Sequence, residues 1–392
     1  MRFRGLVIGV PKEIMKGERR VSAMPDTVKK MVNEGATVLV EKGAGEGSFF
    51  HDEAYVAAGA KIVDDVRQIF ADAHVILKVK EPIHNDALGI HEVDMMHAGQ
   101  CIITFLHPAY PGNHQMIRNM AAKGVLAFTL DGIPRITRAQ AMDALSSMST
   151  VAGYKGLLMA ANRLPKFMPM VGTAVGMIKP ATVTVVGTGI AGLQAVATAK
   201  KLGAVVQSAD IRPDANEQAK TLGAKIIDLS VPAELAMGDG GYAKKLPTEW
   251  LERERKVLAP YIADSDIVIL SALIPGKLAP VIVTDEMIKA MKPGSTIVDI
   301  SIDQGGNCEL SQSGQIIEKY GVIIEGTKNI PGMMPNASTW MFANNIYNYL
   351  ANLVPDGEIN VNMDDVIIAS SLVTRDGKVV HAGALEAMGV IG

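Results

Sequence analysis

The sequence predicts an α/β protein of two doubly wound, parallel-sheet domains, joined by long helices and with a cleft between them. Three observations predict it. The chain has 392 residues, more than one hydrophobic core usually serves. Apolar runs of strand length alternate with helical segments in both halves. The composition, 48% apolar with 38 Gly and only 5% aromatic residues, favours the small and aliphatic side chains of strands buried on both faces.

The first βα series runs through "LVIGVPKEI", "VKKMVNEGATVLVEKG", "DDVRQIFADAHVILKVKEP", "AGQCIITFLHPA" and "MIRNMAAKGVLAFTLDGIP". It gives way to "RAQAMDALSSMSTVAGYKGLLMAANRL", a stretch without breakers that reads as one long bridging helix. After Lys179-Pro180 a second series opens with "TVTVVGTGIAGLQAVATAKKLGAVVQSADIRPD" and continues through "KIIDL", "DIVILSAL", "STIVDISID" and "GVIIEGTKN". The tail combines a helical "TWMFANNIYNYLANLV" with "VIIASSLVTRDGKVVH", which reads as a return to the first domain. The expected division is therefore residues 1–143 plus 336–392 for one domain and 144–335 for the other.

Charge and cysteine usage exclude several classes. A net charge of −3 gives no basic field for nucleic acid or anionic lipid. Cys101 and Cys308 make neither a disulfide framework nor a metal-ligand spacing, which suits a reducing cytoplasm. The basic N-terminus carries Gly9 and Pro11 inside its apolar stretch and reads as a first strand, not a leader. "FMPMVGTAVGMI" is too short to span a bilayer. A soluble chain is expected.

Two glycine clusters compete for a phosphate-binding role. "GAGEG" at Gly43 to Gly47 runs into "SFFHDEAY" and reads as a structural turn. Gly187-Thr188-Gly189-Ile190-Ala191-Gly192 follows the strand "TVTVV" and opens a helix, the context a dinucleotide fingerprint requires. Gly187 permits the tight turn, Gly189 lets the backbone approach a pyrophosphate, and Gly192 allows close packing of helix on strand. The anion then meets a helix N-terminus. Asp210 ends the next strand, where a carboxylate accepts from a ribose diol and repels a 2′-phosphate, favouring NAD(H) over NADP(H). Arg212 beside it weakens that preference.

Other chemistry-bearing residues have two readings each. Lys80 and His107 end strands of the first series, at the edge where open α/β sheets bind ligands. There an ammonium holds a carboxylate or polarises a carbonyl, and an imidazole exchanges a proton near neutral pH. Taken singly, Lys80 reads as a solvated strand end and His107 as a hydrogen-bonded loop residue. Asp303, before a Gly pair, is either a turn former or a carboxylate that orients an ammonium or a water. Arg20 is a bidentate carboxylate ligand or a surface charge. In "PRITRAQAMDALS", Arg135, Gln140 and Asp143 read as a polar helix start whose acid complements the dipole, or as a group presented to a reacting centre.

Six stretches in order, "PRITRAQAMDALSS", "VVGTGIAGLQA", "ADIRP", "GGYAK", "ALIPGKLAP" and "GGNCE", resemble the NAD(H)-binding component of proton-translocating nicotinamide nucleotide transhydrogenases. The wider family includes alanine dehydrogenase, and the resemblance covers essentially the whole chain. It implies two Rossmann-like domains and an NAD(H)-binding transhydrogenase subunit, which passes hydride to NADP on a separate chain. It also implies that Arg135 and Asp143 orient the carboxamide and ribose of NADH, that Ser146 assists, and that Gln140 reaches toward the partner's nucleotide. Tyr242 matches a loop that closes over nucleotide. Thr188, Gly189, Ile190, Asp210, Ile211, Arg212, Gly241 and Leu273 match positions lining the NAD site. Partners implied are NADP-binding and membrane subunits, which place a cytoplasmic chain at the periphery of the inner membrane. At least a homodimer is implied as well.

"KVKEP", "FLHPA" and "IDQGG" instead resemble alanine dehydrogenase, where the matching Lys80, His107 and Asp303, with Arg20, bind and protonate a 2-oxo acid. The alternative is thus a self-sufficient NAD-dependent amino acid dehydrogenase. A third reading is an NAD-binding sensor with no turnover.

Overall fold

The computed structural model describes residues 1–238, 243–274 and 278–391. The chain divides into two compact units, Met1–Met148 with Gly332–Gly392, and Ser149–Pro331.

The first unit is built on an eight-stranded sheet. Its strands run Lys61–Val63, Thr37–Glu41, Val7–Val10, Val75–Leu77, Cys101–Thr104 and Leu126–Thr129, all paired in parallel. In order of appearance this is 3-2-1-4-5-6, the doubly wound order, with its reversal between Val7–Val10 and Val75–Leu77. The tail then adds Leu372–Arg375 and Lys378–Val379 antiparallel at the edge. Alternation sorts the strands onto two cores. Ile8, Val38, Val40, Val75, Leu77 and Ile103 point into one cluster, Leu39, Ile76, Ile102 and Ala127 into the other. The helix Pro335–Leu353 covers the first cluster with Phe342, Ile346, Tyr349 and Leu353. Gly43 to Gly47 is a turn, as its context implies: a Cβ on Gly47 would stand 2.5 Å from the Arg19 carbonyl oxygen.

The second unit repeats the plan. Lys225–Ile226, Val205–Ala209, Thr182–Val186, Ile267–Leu270, Thr296–Asp299 and Val322–Glu325 pair in parallel, and Ile316–Lys319 closes the edge antiparallel. Its reversal lies between Thr182–Val186 and Ile267–Leu270, so both units are Rossmann-like. The apolar stretch beginning at Phe167 forms a hairpin, Val171–Thr173 with Gly176–Ile178, that leaves Met170, Val175 and Met177 exposed.

One expected element is divided. The long helix anticipated from Arg138 is a 3-10 helix over Thr137–Met142 followed by an α-helix over Ala144–Arg163. Asp143 between them has ψ 82°, outside the helical range. Its carboxylate accepts the Ser146 backbone N–H at 2.8 Å and the Ser146 hydroxyl proton. Asp143 therefore caps the α-helix, and the side-chain competition that makes Asp a cap makes it a break. Among the described residues, no helix is long and apolar enough to cross a membrane.

Candidate functional site

In the second unit the fingerprint loop joins Thr182–Val186 to the helix Ile190–Lys201 at the point where strand order reverses. Gly187 has φ 85°, and a Cβ there would lie 2.6 Å from the Ala272 nitrogen. A Cβ on Gly192 would stand 1.9 Å from the Gly187 carbonyl oxygen, so these two glycines are demanded by the chain's own packing. Gly189 differs. It caps the helix, and its missing Cβ would meet only Arg212 Nη2, at 3.9 Å. Open space in front of a helix N-terminus is what a pyrophosphate needs.

Asp210 follows Val205–Ala209 and is buried. One carboxylate oxygen accepts the Thr188 N–H at 2.7 Å and Arg212 Nη2 at 3.0 Å, and the other accepts the Arg212 N–H and Nε at 2.9 and 3.0 Å. Asp210 is thus oriented toward the glycine loop, with Arg212 clasping it. Ile211 packs against the neighbouring apolar cluster, while Ile190 and Leu273 are half-buried. Gly241 and Tyr242 lie outside the described residues, as do Pro275, Gly276 and Lys277 of "ALIPGKLAP".

Sequence reading missed three supports of this loop. Gly153 of the long helix takes the Ala191 carbonyl so closely that a Cβ would lie 2.0 Å from its oxygen. Asn307 donates to the Ala272 and Pro280 carbonyls and accepts the Ala272 N–H, which fixes the strand-to-loop exit beside Gly187. Buried Asp299 in turn accepts the N–H groups of Asn307 and Cys308. The small-residue run "VAGYKG" was the one signal for Gly153. Asn307 and Asp299 become neighbours only through the fold. Asp303 is exposed in the 3-10 turn Ile300–Gln304 and accepts the Asn329 N–H at 3.3 Å.

In the first unit, the loops leaving four adjacent strands gather charged groups. His107 follows Cys101–Thr104 and adopts φ 45°. Its ring stacks on Phe105, with centroids 5.8 Å apart. Its Nδ1 meets Asp131 Oδ1 at 2.8 Å, while Asp131 Oδ2 accepts the His107 and Leu106 N–H groups at 2.7 and 3.1 Å. Burial lowers the imidazole pKa, but the Asp131 charge and hydrogen bond outweigh it and hold His107 above its ordinary value. Burial opposes ionisation of Asp131 too, yet His107 and its donors bring that carboxyl down to about 2. Lys80 is half-buried and close enough for its charge to act on His107. Asp131 was also missed; it sits in "TLDGIP", indistinguishable by sequence from a turn aspartate.

Beneath Lys80 lies a buried ionic cluster at the sheet reversal. Lys78 Nζ meets Glu92 Oε1 at 2.7 Å and Glu13 Oε2 at 3.5 Å. Glu13 also accepts the Val79 N–H at 2.6 Å, and Glu92 the Ile83 N–H at 2.9 Å, so the two acids clamp the backbone that carries Lys80. Burial pushes the Glu13 carboxyl up to about 7 against the opposing Lys78 charge. Arg20 is no surface charge: it is 2% exposed and paired with Glu18 through Nε at 2.7 Å and Nη2 at 2.6 Å. The structure thus brings Lys80 and His107 together in the first unit, where Arg20 also resides, while Asp303 belongs to the second.

The third group is the 3-10 segment Thr137–Met142. Ala139 and Met142 are buried, which turns Arg135, Thr137, Arg138, Gln140 and Ala141 outward. Arg138 bridges to Asp365 at 2.6 and 3.1 Å, and Asn345 donates to the Ala141 carbonyl at 3.0 Å. The segment is pinned from below and presents a fixed polar face above. Gln140 and Asp143 are not on one helical face, because the cap at Asp143 separates them.

Two family models match nearly all of this chain: the alanine dehydrogenase/PNT N-terminal domain over residues 9–152 and the C-terminal domain over 156–382. The first of the chains that make up the NAD(P) transhydrogenase alpha subunit of Rhodospirillum rubrum is 40% identical, covering 95% of this chain and 97% of its own. The alanine dehydrogenase of Bacillus subtilis is 31% identical over 98% of this chain and 95% of its own. Among solved structures, a transhydrogenase from Sinorhizobium meliloti superposes with a TM-score of 0.83 at 38% identity, covering 95% of this chain and 100% of its own. An L-alanine dehydrogenase gives 0.81 at 28% identity, covering 98% and 99%.

Proposed function

The chain belongs to the alanine dehydrogenase/PNT family of oxidoreductases, and from that premise we propose that it is the NAD(H)-binding subunit of a transhydrogenase. The observation that carries this reading is the pinned, outward-facing segment of Arg135 to Ala141. A loop that served only to join two elements needs no buried anchors beneath an exposed polar face. One that must receive a second protein needs both, because ordering it on docking would cost affinity.

The dinucleotide fits the second unit. Gly189 leaves room for a pyrophosphate at the helix N-terminus, and Asp210 is aimed at the ribose position by Thr188. Bound there, the nicotinamide supplies the hydride, so the protein's contribution is alignment and exclusion of water. Arg135 donates to the carboxamide, and Asp143, held by Ser146, fixes the ribose side. Gln140 contacts the nucleotide of the partner. NADP-binding and membrane-embedded subunits are the proposed partners, and a homodimer or larger assembly the proposed state. Such partners would hold a cytoplasmic chain at the inner membrane.

The His107–Asp131 pair beside Lys80 supports a second reading, reduction of a 2-oxo acid such as pyruvate with ammonium. In it Lys80 and Arg20 bind the carboxylate and carbonyl, His107 delivers the proton and Asp303 orients ammonia. The experiment is direct. NADH oxidation is followed with pyruvate and ammonium, then with an NADP-binding transhydrogenase subunit carrying an oxidised NADP analogue. Transfer only to the partner, reduced at least tenfold in Arg135→Ala, establishes the first reading. Turnover without a partner, lost in Lys80→Ala and His107→Ala, establishes the second.

A further inference from the structure

Glu254 has no part in the proposed function, yet it is buried where a carboxylate is costly. It lies in the helix Thr248–Ala263 and is 5% exposed. Leu258 and Ile262, four and eight residues on, share its helix face and pack in the cluster that holds Ala209 and Leu270. This helix is the crossover into the parallel strand Ile267–Leu270, so it runs against the strands and its earlier turns lie toward their carboxyl edge. Glu254, one turn before Leu258, thus reaches the edge where Asp210 ends its strand.

The charged groups facing it agree with that placement. Among the described residues, Glu254 is coupled through charge, to Asp210 and Arg255, rather than through a hydrogen bond. Arg255 is occupied elsewhere, donating to the Val281 carbonyl through Nη2 at 2.6 Å and Nε at 3.2 Å. Arg212 is clasped on Asp210. Burial, reinforced by the Asp210 charge and opposed by Arg255, pushes the Glu254 carboxyl up to about 7.

We propose that Glu254 is a second carboxyl of the adenosine-ribose pocket, one that binds the ribose in its protonated form, so that NAD(H) binding draws a proton onto it. The inference rests on the reading that the Gly187–Gly192 loop and Asp210 hold NAD(H). Asp210 is acceptor-only and takes the hydroxyl protons of the ribose, leaving the ribose oxygens with free lone pairs. A protonated Glu254 supplies the donor for one of them. An ionised Glu254 supplies none and repels Asp210. Bound nucleotide also strips the last solvent from Glu254, which favours the neutral form further.

The test measures the NADH dissociation constant from about pH 6 to about pH 9, with calorimetry in two buffers of different ionisation enthalpy to count protons taken up. In the wild type, affinity should fall roughly tenfold across that range, with net proton uptake near neutral pH. Glu254→Gln, a permanently neutral donor, should stay within about threefold of the low-pH affinity, with a flat profile and no uptake. Wild-type binding without proton uptake, or the same slope in Glu254→Gln, overturns the proposal. Should the variant not fold, the wild-type proton count decides. A wild type that binds no NADH overturns the dinucleotide reading itself, an outcome distinct from the other two.

Discussion

The Asp131 carboxylate takes the His107 ring at 2.8 Å through one oxygen and the His107 backbone N–H at 2.7 Å through the other. A left-handed φ of 45° at His107 lets ring and N–H reach the same acid. Asp131→Asn should therefore lower the His107 pKa, read as a shift of its NMR titration midpoint to lower pH. The sign for stability follows. His107 is held up, so its contribution is full below its unfolded value of about 6.5 and is lost as pH rises through the raised folded value. Asp131 is held down, so its share is present above about pH 3.9 and is lost as pH falls through about 2. Urea unfolding across pH checks both limbs; a His107 midpoint unchanged in Asp131→Asn refutes the coupling.

The fingerprint glycines should separate by assay. Gly192→Ala would push a Cβ into the Gly187 carbonyl and should destabilise the second unit by about 3 kcal/mol or more. Gly189→Ala meets nothing closer than 3.9 Å, so it should leave thermal unfolding unchanged while weakening NADH binding at least tenfold. Equal loss of stability in both would show that Gly189, too, is structural.

Lys78→Met leaves Glu13 and Glu92 buried without their cation and should cost about 3–5 kcal/mol. Adding Glu13→Gln should restore part of that, because the acid with the raised pKa is the one least able to stay charged. Chemical denaturation of the single and double variants measures it. No recovery in the double variant would mean that Glu13 acts mainly through its bond to the Val79 N–H.

Arg138→Ala cuts the bridge to Asp365 beneath the 3-10 segment. The arginine is half exposed, so global stability should fall by less than about 1 kcal/mol. Hydrogen exchange over Thr137–Met142 should quicken, and transfer to a partner should slow. Faster exchange with undiminished transfer would separate the segment's order from its function.

The strand-to-helix rhythm was legible because buried parallel strands announce themselves as apolar runs, and the Gly187–Gly192 loop because its spacing is fixed by packing. The Asp143 break was harder, since Asp within a breaker-free stretch reads either as helix or as cap and only its ψ decides. Asp131, Glu13 and Asn307 were illegible for a common reason. Each acts on a partner 24 or more residues away, His107, Val79 or Ala272, and no local pattern records such a pairing. Arg20 looked like a surface charge because its buried Glu18 partner is two residues away, where charged pairs on solvated loops also occur.

The first unit is assembled from both ends of the chain, with Leu372–Arg375 on its sheet edge and Pro335–Leu353 over its core, whereas the second is one uninterrupted span. During synthesis the inserted unit can complete its core while its host still waits for the last turns of translation. A ribosome stalled near residue 340 would then carry a protease-resistant nucleotide-binding body flanked by an unfinished sheet, and loss of the C-terminal tail would injure the N-terminal half of the chain.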